Sequence, residues 1–182
     1  ISQLSYIVMC AFLLTPTGIV AGSMHIVMHA FAKITLFFCA GAILVTMSKT
    51  RISEMNGIGR QMPWTMTAFA VAAISMIGIP PTAGFISKWY ILLATIESQQ
   101  LIALGVIIAS TLLNTAYFMP IVYAAFFRKQ TIGPAPTADE PGTEAPLMVL
   151  LAIAVTATGT VALFFFPDTM LELAMQTAGA GK

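Results

Sequence analysis

The sequence predicts an all-α membrane protein that crosses the bilayer several times. Hydrophobic residues make up 58% of the chain, whereas Asp, Glu, Lys and Arg together make up 8%. A soluble domain has about 25% of these charged residues, so this chain cannot cover a globule with a charged shell. Long uncharged runs such as residues 1–32 are the third observation, because a spanning helix needs about 20 mostly apolar residues.

Helices are expected because the lipid core offers no water to backbone groups, which only helices and closed barrels pair internally. Barrel strands alternate apolar and polar residues, and residues 102–109 show no such alternation. The composition excludes a soluble enzyme and a disordered tail, and the net charge of +1 gives no reason to expect a nucleic-acid partner. Cys10 and Cys39 lie in apolar runs and are expected to be packed thiols.

The start of the chain also carries a signal. It begins with Ile1, no basic segment precedes the first apolar run, and no small-residue cleavage site follows it. We therefore expect a C-terminal piece of a longer protein, with part of the mechanism outside these residues.

Charged stretches, prolines and glycines divide the chain into candidate spans. The first 127 residues are expected to hold four or five spans, one of them broken. The predicted helices are 1–15, 19–47, 63–79, 82–96, 101–127 and 145–167, with a polar loop at 48–61, a solvated loop at 128–144 and a tail at 168–182 that could form a short amphipathic helix.

Pro80 and Pro81 interrupt a long uncharged run, and Gly84 follows them. Proline has no N–H and frees carbonyl groups upstream, and such groups are tolerated at membrane depth where they are buried in protein or line a hydrated cavity. The stretch 63–96 is therefore one broken span or two spans. One broken span would put most basic loop residues on one side, which the positive-inside rule assigns to the cytoplasm.

Lys88 lies just beyond this break. A buried amine can hold or release a proton as its surroundings change, so Lys88 is a candidate proton carrier. The alternative is a lysine at a helix end that reaches the membrane interface, which its neighbours Trp89 and Tyr90 favour.

His25, His29 and Lys33 form a polar stripe on the predicted helix 19–47. Each step of four residues turns the helix by only ~40°, so the three share one face along ~12 Å. Lys33 is ~21 Å from either helix end, too far for its stem to reach the interface. Charged side chains at this depth face a bundle interior or water and are functional candidates. The alternative is a pair of packed histidines beside a neutral lysine.

Weaker signals are Asn114 and Tyr117, which could line a polar path or bridge helices. The spacing of His25 and His29 resembles a metal motif, but no glutamate follows His25 and no third ligand is apparent. We expect no metal, no other cofactor and no residues for covalent catalysis.

Several segments together resemble one family, the antiporter-like proton-translocating membrane subunits. These are residues 1–6 (ISQLSY), 24–33 (MHIVMHAFAK), 59–64 (GRQMPW) and 78–88 (GIPPTAGFISK). The family includes large subunits of multisubunit Mrp-type monovalent cation/proton antiporters, antiporter-like subunits of respiratory complex I, and relatives in membrane-bound hydrogenases. The sequence of residues 1–6 and 33–43 is most similar to the D-type large subunit of the antiporters.

The resemblance implies the C-terminal part of a fold of fourteen helices built from two inverted repeats, with one broken helix near Pro80 and Pro81. Lys88 matches the key charged residue of the second broken helix, which is Lys or Glu in the family. His25, His29 and Lys33 match its central hydrophilic axis. The first-repeat Glu–Lys pair and a central lysine before residue 1 are absent, so these residues would form at most a half-channel.

The sequence therefore predicts a proton-conducting subunit of a cation/proton antiporter, an ion-translocating subunit rather than an enzyme. It would lie in a bacterial plasma membrane with other membrane subunits and exchange protons for a monovalent cation. One alternative is a proton-pumping subunit of complex I or a hydrogenase, where it would belong to a translocase. A second is a structural scaffold without an ion path, and a distant third is an intramembrane metalloprotease.

Overall fold

The computed structural model describes residues 1–129 and 144–179, and these residues form helices and loops without a strand. The helices are α1 (Ser2–Phe12), α2 (Pro16–Met47), α3 (Pro63–Ile77), α4 (Ala83–Glu97), α5 (Leu101–Phe127), α6 (Leu147–Phe165) and α7 (Asp168–Thr177), with short 3-10 turns at Ile52–Glu54 and Ile58–Arg60. The predicted all-α fold is confirmed, and so is the break at Pro80 and Pro81. Most of the predicted loop 128–144, and the end of the predicted tail, lie outside the described residues.

Three of these helices, α2, α5 and α6, are long and apolar enough to cross a bilayer. The helices α1 and α3 are apolar but shorter, and α4 is as short as α3. Together they make a multi-pass membrane protein.

The start of α2 differs from the prediction, which placed the beginning of this helix at residue 19. Pro16 lies at the first helical position, and the Thr15 hydroxyl accepts a hydrogen bond from the Gly18 amide over 3.0 Å. Proline is favoured at this position because its missing N–H would have no partner there. The interruption between α1 and α2 therefore lies three residues earlier than expected, at residues 13–15, with Leu14 in the left-handed region at φ +53°.

The helices α3 and α4 follow α2 one after the other and run antiparallel to it. Near the end of α2, Cys39 and Ile43 share a buried cluster with Met66 at the start of α3. Near the start of α2, Met24 and Met28 cluster with Ala83, the first residue of α4. The break between α3 and α4 therefore lies beside the middle of α2, at the level of its polar stripe.

The loop between α2 and α3 packs on the end of α5. The Gly57 amide donates to the Ala124 carbonyl oxygen over 3.0 Å, and a Cβ on Gly59 would lie 2.9 Å from the Phe126 ring. The ends of α2 and α5 thus lie at the same end of the bundle.

Candidate functional site

Lys88 occupies the break by replacing two missing backbone donors. In an α-helix each carbonyl oxygen accepts from the amide four residues later, so the Met76 and Ile77 oxygens would face the amides of residues 80 and 81. Both are prolines and have no N–H. Lys88 Nζ instead donates to Met76 O over 2.9 Å and to Ile77 O over 2.8 Å. The lysine therefore satisfies the carbonyl groups that the prolines leave unpaired.

Small residues let the lysine reach these carbonyl groups. Gly78 ends α3 with φ +90°, and a Cβ there would lie 2.7 Å from Lys88 Cδ. Gly84 donates its amide to Ser75 Oγ over 3.1 Å, which ties the start of α4 to the last turn of α3. Thr82 Oγ1 donates to Ile79 O over 2.7 Å and satisfies a further carbonyl of the break.

The lysine is buried, with 7% of its surface exposed, whereas its neighbour Trp89 is exposed. Its ammonium nitrogen lies 5.7 Å from the centre of the Tyr6 ring, over the ring face, where a cation is attracted to the π system. The amine thus points into the bundle, toward α1 and α3.

His25 lies next to this lysine in a buried hydrogen-bonded chain. Its Nδ1 is 2.9 Å from Ser87 Oγ on α4, and its Nε2 donates to Gln3 Oε1 on α1 over 3.1 Å. Gln3 Nε2 donates in turn to Met76 O over 3.3 Å, the oxygen that also accepts from Lys88. His25 on α2 therefore connects α1 and α4 beside the break.

The rest of the polar stripe leads to a cavity. The His29 ring stacks on His25, with centroids 5.8 Å apart and planes 10° from parallel. Beyond it, Lys33 is partly buried, and its ammonium nitrogen lies 5.8 Å from the Phe37 ring centre. A cavity of about 360 Å³ is lined by His29, Lys33, Asn114 and Tyr117, among other residues.

Two buried polar atoms around this cavity lack a hydrogen-bond partner within the described part of the chain, His29 Nδ1 and Asn114 Nδ2. A cavity of this size can hold water beside its polar groups, since a water molecule needs two to four polar partners. The cavity is therefore suited to water that joins Lys33 to His29.

The predicted residues thus fall into two groups. The structure brings His25 and Lys88 together at the break, and it places His29, Lys33, Asn114 and Tyr117 around the cavity. Pro80 and Pro81 are exposed and act through the backbone groups they lack. Tyr117 is itself 55% exposed, with its side chain at the rim of the cavity.

Sequence reasoning missed Gln3 and Ser87 as members of the site. Both belong to segments that carry the family resemblance, and each is a buried polar side chain in an apolar helix. A buried polar group needs a hydrogen-bond partner, and this signal would have singled them out. In the described ranges no group of three or more His, Cys, Asp or Glu side chains could hold a metal ion.

Comparison with known proteins identifies the family. Residues 1–127 match the family described as NADH:quinone oxidoreductase/Mrp antiporter, transmembrane. The chain is 33% identical to NADH-quinone oxidoreductase subunit N of Desulforudis audaxviator, over 98% of this chain and 37% of the relative. It is 30% identical to the D-type subunit of the Na(+)/H(+) antiporter of Alkalihalophilus pseudofirmus, over 98% of this chain and 35% of the relative. The chain therefore spans about a third of the length of these curated relatives.

Solved structures have the same fold. A chain of the Mrp complex from a Dietzia species superposes with a TM-score of 0.85 at 24% identity, over 97% of this chain and 40% of that chain. A chain of an archaeal membrane-bound sulfane sulfur reductase superposes with a TM-score of 0.76 at 31% identity, over 90% and 26% of the two chains. Both neighbours are parts of multisubunit membrane complexes. On its family match over residues 1–127, this chain belongs to the NADH:quinone oxidoreductase/Mrp antiporter transmembrane family.

Proposed function

We propose that this chain is part of a proton-conducting subunit of a multisubunit monovalent cation/proton antiporter in a bacterial plasma membrane. The observation that carries the proposal is the buried Lys88 ammonium, held on the Met76 and Ile77 carbonyl oxygens beside His25. A lysine and histidine relay here would carry protons through a half-channel, with the rest of the path supplied by other residues of the full-length protein.

The surroundings of Lys88 let it change its protonation state. Burial disfavours the charged amine, whereas two carbonyl dipoles favour it. A proton carrier needs both states within a few kcal/mol of each other, where one pKa unit is about 1.36 kcal/mol. A carrier that bound its proton much more tightly would not release it.

His25 offers the next step of the relay. Its Nδ1 lies 2.9 Å from Ser87 Oγ, and Ser87 precedes Lys88 on α4. A hydroxyl can donate and accept at once, so Ser87 can pass a proton between the imidazole and its surroundings. His29 and the cavity around Lys33 and Asn114 would extend the path with water.

The partners follow from the relatives. The superposed Mrp complex and sulfane sulfur reductase are membrane assemblies, and we propose that this subunit likewise works beside other membrane subunits. The exchanged ions would be protons and a monovalent cation, as in the Na(+)/H(+) antiporter of Alkalihalophilus pseudofirmus.

A proton-pumping subunit of a quinone oxidoreductase is the second candidate. It is favoured by the identity of 33% to the Desulforudis oxidoreductase subunit, which is slightly above the 30% to the Alkalihalophilus antiporter subunit. The two candidates share the same relay and differ in its energy source. An antiporter uses a cation gradient, whereas an oxidoreductase uses electron transfer.

The test is a set of Lys88 variants in the full-length, assembled complex, assayed in inside-out membrane vesicles. Lys88→Ala removes the titratable group and should abolish dissipation of a pH gradient by added Na⁺, whereas Lys88→Glu keeps a titratable group and should retain part of it. The control is Lys129→Ala, which changes an exposed lysine just after the end of α5. Complex levels are compared by immunoblotting.

Each outcome separates the candidates. Dissipation by Na⁺ without an electron donor supports the antiporter, and gradient formation that requires NADH and quinone supports the oxidoreductase. Full activity in assembled Lys88→Ala and Lys33→Met complexes would remove both lysines from the path and leave the structural scaffold.

A further inference from the structure

Gln3 lies between the two titratable side chains of the site. It is buried on α1, with 4% of its surface exposed. Its Nε2 donates to Met76 O over 3.3 Å, and the same oxygen accepts from Lys88 Nζ over 2.9 Å. The other end of the amide, Oε1, accepts from His25 Nε2 over 3.1 Å. Gln3 therefore hydrogen-bonds His25 and shares an acceptor with Lys88.

The backbone carbonyl fixes the orientation of the Gln3 amide. A carbonyl oxygen can only accept, so the end of the amide that faces Met76 O must be the NH₂ group. The amide oxygen then faces His25, and it too can only accept. His25 Nε2 therefore carries a hydrogen both in the neutral ring and in the charged one.

We infer that Gln3 is a positioning residue that restricts proton exchange on His25 to Nδ1, the nitrogen that faces Ser87. This rests on the proposed function, since it concerns the direction in which the relay passes its proton. In the neutral ring, Nδ1 accepts from the Ser87 hydroxyl across 2.9 Å. When Ser87 Oγ takes a proton from a donor such as hydronium, the hydrogen that it already carries passes to Nδ1. Nδ1–H then donates to Ser87 Oγ, and the new hydroxyl hydrogen points to Gly84 O, 3.3 Å away.

Both states keep their hydrogen bonds, and only the hydroxyl hydrogen and the transferred proton move. The alternative tautomer, with its hydrogen on Nδ1, would point a bare Nε2 at an amide oxygen. Two acceptors would then face each other in a buried site, where unpaired polar groups are costly. In that tautomer Nδ1 already carries a hydrogen, so His25 could not accept a proton from Ser87. By disfavouring this tautomer, Gln3 keeps Nδ1 free to accept the proton.

Other titratable groups around His25 do not provide this restriction. Tyr6 on α1 meets the ring edge-on, with centroids 5.8 Å apart, and His29 on α2 stacks on its face. Lys88 on α4 donates to the backbone, and α3 and α6 contain no titratable side chain. Asp168 and Glu172 of α7, which also packs on α2, are both exposed. Gln3 is the hydrogen-bond partner of Nε2.

The test compares two Gln3 variants in the full-length complex, with the rate of Na⁺-driven pH-gradient dissipation measured between pH 6 and 9. Gln3→Met has a similar size and removes both hydrogen bonds. Its maximal rate should fall ~10-fold with the KM for Na⁺ unchanged, as expected for the loss of hydrogen bonds around a charged intermediate. Ser5→Ala, an exposed polar residue on the same helix, is the control and should match wild type.

Gln3→Glu keeps an acceptor for His25 Nε2 but cannot donate to Met76 O. Its carboxylate favours the imidazolium, so the pH of half-maximal rate should move upward by about one unit. A purely structural role for Gln3 would lower complex levels without moving this pH profile. If the Gln3→Met complex does not assemble, the pH profile of the Gln3→Glu complex alone tests the positioning role of Gln3.

Unchanged rates and pH profiles in both Gln3 variants, with Lys88→Ala inactive, would overturn this inference and leave the proposed function intact. Full activity of Lys88→Ala would instead overturn the proposed function.

Discussion

Gly84 lies so close to Ser75 that no side chain fits between the two helices they belong to. A Cβ on Gly84 would lie 1.8 Å from the Ser75 carbonyl oxygen, and the Gly84 amide donates to Ser75 Oγ over 3.1 Å. Residue 88 follows one helical turn later on the same face of α4. This close approach therefore fixes the position of Lys88 relative to the carbonyl groups of Met76 and Ile77 at the end of α3.

We expect Gly84→Ala to separate α3 from α4 and to weaken the hydrogen bonds of Lys88. The clash is with backbone, which cannot rotate away, so the free energy of unfolding should fall by about 1–3 kcal/mol. Ion exchange by the full-length complex should fall ~10-fold or more, because small misplacements of reacting groups have effects of this size or larger. The measurements are thermal stability in detergent and pH-gradient dissipation in vesicles.

The matched control is Gly105→Ala on α5, where a Cβ would meet nothing within 4 Å. The same chemical change should leave ion exchange unchanged and can even favour the helix, since alanine has the higher helix propensity. If Gly84→Ala behaves like Gly105→Ala, the close approach is not required for the site.

A substitution of Asn114 tests whether water in the cavity beside Lys33 takes part in ion exchange. We expect Asn114→Leu to lower ion exchange by ~10-fold, because an apolar group would displace water that it cannot replace as a hydrogen-bond partner. Leu113→Met, on the adjacent exposed position of α5, changes no polar group and should have no effect. Initial rates of Na⁺-driven pH-gradient dissipation provide the measurement, and equal rates in the two variants would argue against a water path beside Lys33.

The helices and the break between α3 and α4 could be predicted because their causes are local. A long uncharged run predicts an apolar helix. Two adjacent prolines predict the break, because their missing N–H groups leave the carbonyl groups of Met76 and Ile77 unpaired. The error at the start of α2 was local too, because Pro16 can end one helix or begin the next, and the Thr15 side chain decides between them.

The partners within the site could not be predicted in the same way. The contact of His25 with Ser87 joins residues 62 positions apart, and that of Gln3 with Met76 joins residues 73 apart. Such pairs depend on how helices pack, and helix periodicity gives only the face on which each residue lies. The stripe of His25, His29 and Lys33 was therefore visible in the sequence, whereas its division between the break and the cavity was not.

Glu144 should stabilise the start of α3, although it lies 80 positions from Trp64 in the sequence. Its carboxylate accepts from the Trp64 amide over 3.1 Å and from the Thr65 hydroxyl, at the first turn of α3. A carboxylate at a helix start satisfies unpaired amides and interacts favourably with the helix dipole. Glu144→Ala should therefore lower the free energy of unfolding by about 1–2 kcal/mol.

The measurement is thermal unfolding of the full-length protein in detergent, with Glu172→Ala on the exposed side of α7 as the control. Thr65→Val removes one of the two donors, and the double variant should lose less than the sum of the single variants because the groups interact directly. Additive losses would mean that Glu144 and Thr65 do not interact in the detergent-solubilised protein.

The last prediction concerns the orientation of the chain in the membrane. Because α3 and α4 follow α2 in succession, and because Gly57 binds the end of α5, the loops after α2 and after α5 lie at one end of the bundle. Most basic loop residues lie at that end, namely Lys49, Arg51, Arg60, Arg128 and Lys129, and the positive-inside rule assigns it to the cytoplasm.

We expect Ser53→Cys and Lys129→Cys to react with a membrane-impermeant maleimide only in inside-out vesicles, and Gln100→Cys to react in intact cells. Cys10 and Cys39 are buried and should stay unreactive, and any further cysteines of the full-length protein are replaced beforehand. Labelling of Ser53→Cys and Lys129→Cys from opposite sides would mean that residues 63–97 cross the membrane twice, which is incompatible with the contact between Gly57 and Ala124.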